Sequence, residues 1–292
     1  SNYQLHSIYL KHVAKVCTKH YIDFSRLLAQ SGISTATAYG ENVLIDQVAF
    51  INVLNEGNKI LGDGLFGFRA GSETSLQTGG TMGQIIANQS CIAQMYPMIN
   101  YLFNAENRGA RHNLSVSGNL ASHEIVYLVD QQINCDQVAQ FTITGYYQAF
   151  KEVLRSQWQP TRVLFRQRAP KNVQPMLAFY GCPVVFESDK DAIEFPLSLI
   201  YQHTDKVLNE SRHMKRQFAD ILASCDDLDR LVASYIDFNL TSNEFDKESV
   251  AKCLGVHPRV LQNCLADKGF KYVEILEQVR NEKALTLLAN TE

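Results

Sequence analysis

Apolar residues recur every three to four positions over much of the first hundred residues. In QLHSIYLKHVAKVC, Leu5, Ile8, Tyr9, His12, Val13 and Val16 share one side of a predicted helix. SRLLAQSGIS ends at a glycine, as a short helix does. DQVAFINVLNEGNKIL predicts a second long helix before the glycine-rich GDGLFGFRAGSE, and a third is predicted from QTGGTMG through QIIANQSCIAQMYPMINYLFN.

The period changes after residue 111. RHNLSVSGNLASHEIVYLVDQ holds two β-prone runs, Leu114 to Val116 and Ile125 to Val129, joined by a polar, glycine-containing link, which predicts a hairpin. CDQVAQFTITGYYQAFKEVLRSQW returns to helical spacing, PTRVLFRQRAP alternates, and in CPVVFESDKDAIEFP apolar runs flank the turn-like ESDKDA. Beyond Pro196 every local signal is helical. Strands and helices in separate blocks predict an α+β N-terminal domain, helices plus a small antiparallel sheet, followed by an all-α C-terminal part. The expected division is 1–205, a connection over 206–226, and 227–292.

The sharpest local pattern is SVAKCLGVHPRVLQNCLADKG, residues 249–269. Asp246 can cap a helix beginning at Lys247, with Val250 and Leu254 inward and Ala251 leaving room for a neighbour. Gly255 suits the left-handed turn, Val256 the corner, and Pro258 the first position of the next helix. Leu261, Cys264 and Leu265 then face inward, a helix-turn-helix. The opposite face of helix 258–268 carries Arg259, Asn263 and Ala266 with Gln262 at its flank, and Lys268 and Lys271 follow. Arg can read guanine, Asn or Gln adenine, and Lys can hold phosphate. A plain helical hairpin with a solvated outer face has the same pattern.

Charge weighs against autonomous DNA binding. Residues 226–292 carry 8 Lys/Arg against 12 Asp/Glu, whereas residues 1–225 carry 19 against 18. Phosphate neutralisation supplies much of a DNA-binding domain's affinity. The remaining composition, 46% apolar and 10% aromatic over 292 residues, suits buried cores. No apolar stretch is long enough to span a membrane and no secretory signal is present, so a cytoplasmic location is expected. Seven scattered cysteines without C-x-x-C spacing read as thiols, with no metal site and no cofactor. No G-x-S-x-G, no phosphate loop ending in Lys and no paired acid motif point to an enzyme, and TGGTMG lacks the lysine of a phosphate loop.

The C-terminal residues resemble the first half of the DNA-binding domain of AraC/XylS-type bacterial transcription regulators. The motif V-A-x-x-L-G, the following R-x-L-Q helix, and a connecting helix with Arg280, Ala284, Leu287 and Leu288 arrive in the family's order. GLFGFRAG, GGTMGQIIANQSCIAQMYPMINYLF, RVLFRQRAP and FYGCPVVFESDKDAIEFPLSLI resemble the regulatory domain of the subgroup labelled arabinose-binding, whose members answer to varied effectors. The resemblance implies an effector-responsive regulator that reads promoter half-sites as a homodimer. The alternative is a ligand-sensing or protein-interaction module without autonomous DNA binding. Three departures stand out: His257 replaces the usual Ser or Thr cap, Asn263 stands where Arg is common, and the family's second helix-turn-helix is expected to be missing after LLANTE. Tyr96, Tyr101, Tyr127, Tyr146, Tyr147 and Trp158 are candidates to line an effector pocket, with a core role as the alternative. Arg162, Arg166 and Arg168, on one predicted strand face, are candidates for an anionic ligand, with a solvated face as the alternative.

Overall fold

A computed structural model of the protein describes residues 3–40, 43–79, 83, 86, 87, 89, 91–97, 99, 100, 109–202, 216, 219, 220, 222, 223, 225, 227–240 and 245–289. N-terminal helices and small sheets are followed by a helical C-terminal region.

The chain begins with a strand where a helix is predicted. Gln4–His6 (β1) pairs antiparallel with Leu44–Asp46 (β2), Leu5 opposite Ile45. The helix starts only at Leu10 and runs to Lys19 (α1). A partner 40 residues away, invisible to local periodicity, takes the first residues into a ladder. Phe24–Gln30 (α2) and Thr35–Tyr39 (α3) begin at Asp23 and Ser34, whose side chains accept from the N–H groups of Arg26 and Thr37. Gln47–Leu61 (α4) is capped by Asp46 and ends at Gly62, φ +76°. These helices bury Leu10, Val13, Leu28, Phe50 and Leu54 in one apolar cluster.

The glycine-rich GLFGFRAG is a helix, Phe66–Ser72 (α5), rather than a turn. It packs on the long helix Asp136–Leu154 (α6). Gly67 and Gly71, one turn apart, make that approach possible: a Cβ on Gly67 would run into the Gln137 carbonyl, and one on Gly71 would sit 2.6 Å from the Phe141 oxygen. Gln137 and Gln140 of α6 accept from the N–H groups of Gly67 and Phe68 at 2.8 and 3.0 Å, satisfying the N-terminus of α5.

Ala110–Ser117 (β3) and Leu120–Tyr127 (β4) form the expected hairpin, but with longer strands and a two-residue turn in which Gly118 has φ +58°. Arg162–Leu164 (β5), Val184–Val185 (β6) and Asp191–Pro196 (β7) complete a sheet of order β3-β4-β7-β5-β6. The helix Gln174–Tyr180 (α7) lies between β5 and β6 in sequence. The runs flanking ESDKDA are not neighbours: β7 pairs with β4 and β5, while β6 runs parallel to β5 at the edge. Residues 191–195 are buried throughout, which favours a central place over a hairpin with β6.

The helix predicted through QIIANQSCIAQMYP is interrupted, since Cys91 is extended and Ile92–Gln94 form a 3-10 turn. Most of the 206–226 connection lies outside the described residues. Leu228–Asn239 (α8), Lys247–Cys253 (α9), Pro258–Asp267 (α10) and Tyr272–Ala289 (α11) follow. One apolar cluster runs continuously from Phe150 and Phe195 at the sheet through Tyr235 on α8 to Leu261 and Ile275.

Candidate effector cavity and reading head

A cavity of about 120 Å³ lies where four parts of the fold meet. One wall is Leu5, Tyr9, Gln47 and Phe50 from β1, α4 and the turn before α1. The strands add Ala110, His112 and Tyr127. Helix α6 presents Val138, Phe141, Thr142, Gly145, Tyr146 and Ala149, positions that recur on one helical face. The fourth wall is made of Thr74, Ser75, Leu76, Gly79, Gly83 and Ile86.

That wall is pinned from both sides. His12 on α1 faces the Thr78 carbonyl at 3.2 Å, and the Glu152 carboxylate on α6 accepts from the Leu76 N–H at 3.3 Å. A Cβ on Gly83 would meet the Leu76 carbonyl, so this glycine lets two stretches of backbone touch.

Aromatic rings and imidazoles stack behind the wall formed by His112 and Tyr146. Tyr96 Oη lies 2.5 Å from His123 Nδ1, and the His123 ring is 4.3 Å from Tyr146 and 5.6 Å from His112 between centroids. Burial pushes the His123 pKa down to about 3, so its ring is neutral, and the same cause raises that of Tyr96.

Of the candidate pocket residues, Tyr127 and Tyr146 line the cavity; Tyr96 lies behind it on His123; Tyr101 falls outside the described residues. Trp158 packs against Phe150 and Phe195 in the core. Tyr147 donates to the Tyr180 carbonyl at 2.7 Å, also off the cavity. The arginines lie elsewhere. The strand ends at Leu164; Arg162 pairs with Glu194 at 2.5 Å, and Arg166 and Arg168 are exposed. The Arg166 backbone N–H reaches Asp191, whose pKa burial raises to about 6. His112, Gln47, Phe141, Leu76 and Ile86 are cavity residues that local patterns do not single out, although the Gly79/Gly83 spacing was a visible signal.

The second site is the pair α9 and α10. Asp246 accepts from Ser249 N–H at 2.7 Å, Gly255 has φ +71°, and Val256 N–H reaches back to the Ala251 carbonyl. His257 does cap α10: its Nδ1 accepts from Arg259 N–H at 3.2 Å, which requires a neutral ring with its proton on Nε2. Arg259, Gln262, Asn263 and Lys271 are exposed, and Lys268 is half-buried. Gln262 accepts from Lys247 at 3.3 Å, and Lys271 pairs with Glu274 at 2.9 Å. Arg280 of α11 stacks over Phe245, 4.9 Å from the ring centroid, fastening the connecting helix to this unit.

A family model described as the arabinose-binding domain of AraC transcription regulators, N-terminal, matches residues 22–203. The chain belongs to this family. Its fold is similar to the crystal structure of the transcriptional regulator CdpR from Pseudomonas aeruginosa, with a TM-score of 0.57 and 17% identity over 96% of this chain and 85% of that one. No curated protein matches. In this AraC-type chain the matched region contains the α6 and sheet walls of the cavity, and α9 and α10 lie beyond it. Among the described residues no helix is long and apolar enough to cross a membrane, and no three His, Cys, Asp or Glu side chains group as metal ligands.

Proposed function

We propose that the protein is an effector-responsive, sequence-specific DNA-binding regulator. Residues 1–205 form the effector unit, 206–226 the connection and 227–292 the DNA-reading unit. The effector occupies the cavity between α4, the sheet, α6 and the wall from Leu76, Gly79, Gly83 and Ile86, and α10 enters the major groove with Arg259, Gln262 and Asn263 towards base edges.

The observation that carries this reading is the path of a single segment. Thr74, Ser75, Leu76, Gly79, Gly83 and Ile86 line the cavity, and three residues after Ile86 the Gln89 side chain donates to the Cys253 carbonyl at 2.8 Å, at the end of α9. Gln94 then donates to Asn239 Oδ1 at 3.3 Å, at the end of α8. A ligand that prefers one placement of these wall residues therefore biases the seat of the reading head, which is the differential interaction an allosteric effector needs. Two heads on adjacent half-sites would offset the weak contacts of each.

The test is binding of promoter fragments at low salt, with and without ligand. Sequence-dependent binding that changes with ligand supports the reading, and the absence of any sequence dependence refutes it. The acidic balance of residues 226–292 favours the second reading, a sensor or protein-interaction module without DNA binding of its own. That reading predicts no shift of any DNA at low salt.

A further inference from the structure

We infer that the cavity takes an uncharged, predominantly apolar ligand, neither a sugar nor a carboxylate; this rests on the reading of the cavity as the effector site. At about 120 Å³ it has the liquid volume of about four waters, the size of a small aromatic ring or a short alkyl chain.

Charge is the first argument. Among the described lining residues there is no Asp, Glu, Lys or Arg. The nearby carboxylate of Glu152 is turned to the Leu76 N–H, and that of Glu73 to Lys19. An ionised ligand would lose its hydration and meet no carboxylate, ammonium or guanidinium among these described lining residues.

The second argument concerns hydroxyls. Five polar side chains along the wall, Gln47, Thr74, Ser75, Tyr127 and Thr142, are already engaged inside the protein. Gln47 Oε1 accepts from the Gly109 N–H at 2.6 Å. Tyr127 donates to Thr142 Oγ1 at 2.8 Å, and Thr142 donates onward to the Val138 carbonyl at 2.9 Å. Thr74 donates to the Gly71 carbonyl at 2.7 Å, and Ser75 and Thr78 hold each other at 2.9 Å. A pyranose would bring several hydroxyls against these committed donors and acceptors, leaving them unpaired or breaking those bonds. Leu5, Phe50, Leu76, Ile86, Val138 and Phe141 offer apolar surface instead, with the Phe50 and Phe141 rings edge to face at 5.4 Å.

The experiment compares four probes on the whole chain by thermal melting and calorimetric titration: octan-1-ol, indole, octanoate and L-arabinose. Octan-1-ol and octanoate share a chain and differ in charge. Saturable stabilisation by octan-1-ol or indole, with none from octanoate or L-arabinose at equal concentration, is expected. Gly145→Leu places a side chain into the cavity, since a Cβ there meets only Thr74, at 3.4 Å. It should weaken the neutral probes at least tenfold, and the milder Gly145→Ala about threefold, both with unchanged circular dichroism. L-arabinose or octanoate binding that Gly145→Leu abolishes overturns the ligand class and keeps the site. Neutral-probe binding that Gly145→Leu leaves intact overturns the site itself, and no saturable binding of either neutral probe overturns the class.

Discussion

The Gln89 side-chain amide donates a 2.8 Å hydrogen bond to the Cys253 carbonyl, 164 positions further along the chain. Ile86, on the cavity wall, is only three residues from Gln89. Substituting Gln89→Leu keeps the volume and removes the bond, a loss of about 1 kcal/mol. The ligand-driven change in DNA affinity should shrink about fivefold, the equivalent of that energy. Anisotropy of a labelled promoter fragment with and without ligand checks this; an unchanged ligand response would rule out Gln89 as the link.

Arg259 is exposed on the outward face of α10. If it reads a base, Arg259→Ala should weaken specific binding by about 1–3 kcal/mol and relax preference at one position. Asn263→Arg restores a cation on the same face and should steepen the dependence of log K on log salt by about 1. Salt titrations against specific and scrambled duplexes separate the two effects.

The His257 cap works through one imidazole lone pair at 3.2 Å. A hydroxyl is a better N-cap acceptor than this ring. His257→Ser should therefore raise stability by about 0.5–1 kcal/mol, while His257→Ala should lower it by a similar amount. Urea unfolding of both variants decides the sign.

Burial holds the His123 pKa near 3 instead of its ordinary 6.5. Between those values the unfolded chain binds a proton that the native ring refuses, so this contribution is complete above pH 6.5 and is lost as pH falls towards 3. By pH 5 the loss is about 2 kcal/mol. Asp191, raised to about 6, acts with the opposite sign between its ordinary 3.8 and 6. The readout is therefore the difference in slope: His123→Phe, which keeps a ring against Tyr146 and Phe150, should depend less on pH between 7 and 5 than the parent does. Equal slopes would show that His123 does not titrate in this way.

Gly67 at the α5–α6 contact and Gly145 on the cavity wall should respond oppositely to one added methyl. Gly67→Ala drives a Cβ into the Gln137 backbone and should cost at least about 2 kcal/mol by forcing α5 off α6. Gly145→Ala meets only Thr74, at 3.4 Å, and relieves glycine's entropy cost in α6, so it should stabilise by about 0.5–1 kcal/mol. Melting curves of the two variants test the contrast.

Local chemistry was enough where each residue's partner lies within a few positions. Asp246, Gly255, Val256 and Pro258 act on their own turn, so the order cap, helix, turn, helix was legible from 246 to 268, as were the 3.6-residue stripes of α4 and α6. The hairpin β3–β4 was legible for the same reason, its partners being adjacent in sequence, although alternation understated the strand lengths.

Long-range partnership decided the remainder. Leu5 joins a strand because Ile45 is opposite it, and GLFGFRAG is a helix because Gln137 and Gln140 cap it and Gly67 and Gly71 admit α6. Residues 191–195 take the centre of the sheet because both edges of β7 find partners. The cavity itself is drawn from residues as far apart as Leu5 and Ala149, so no spacing rule could assemble it. Sequence by itself determined the local elements and the family to which the chain belongs. Only the tertiary structure decided which side chains face a shared space and that one segment touches both that space and the end of α9, because close packing and buried hydrogen bonds are made between residues whose separation along the chain carries no signal.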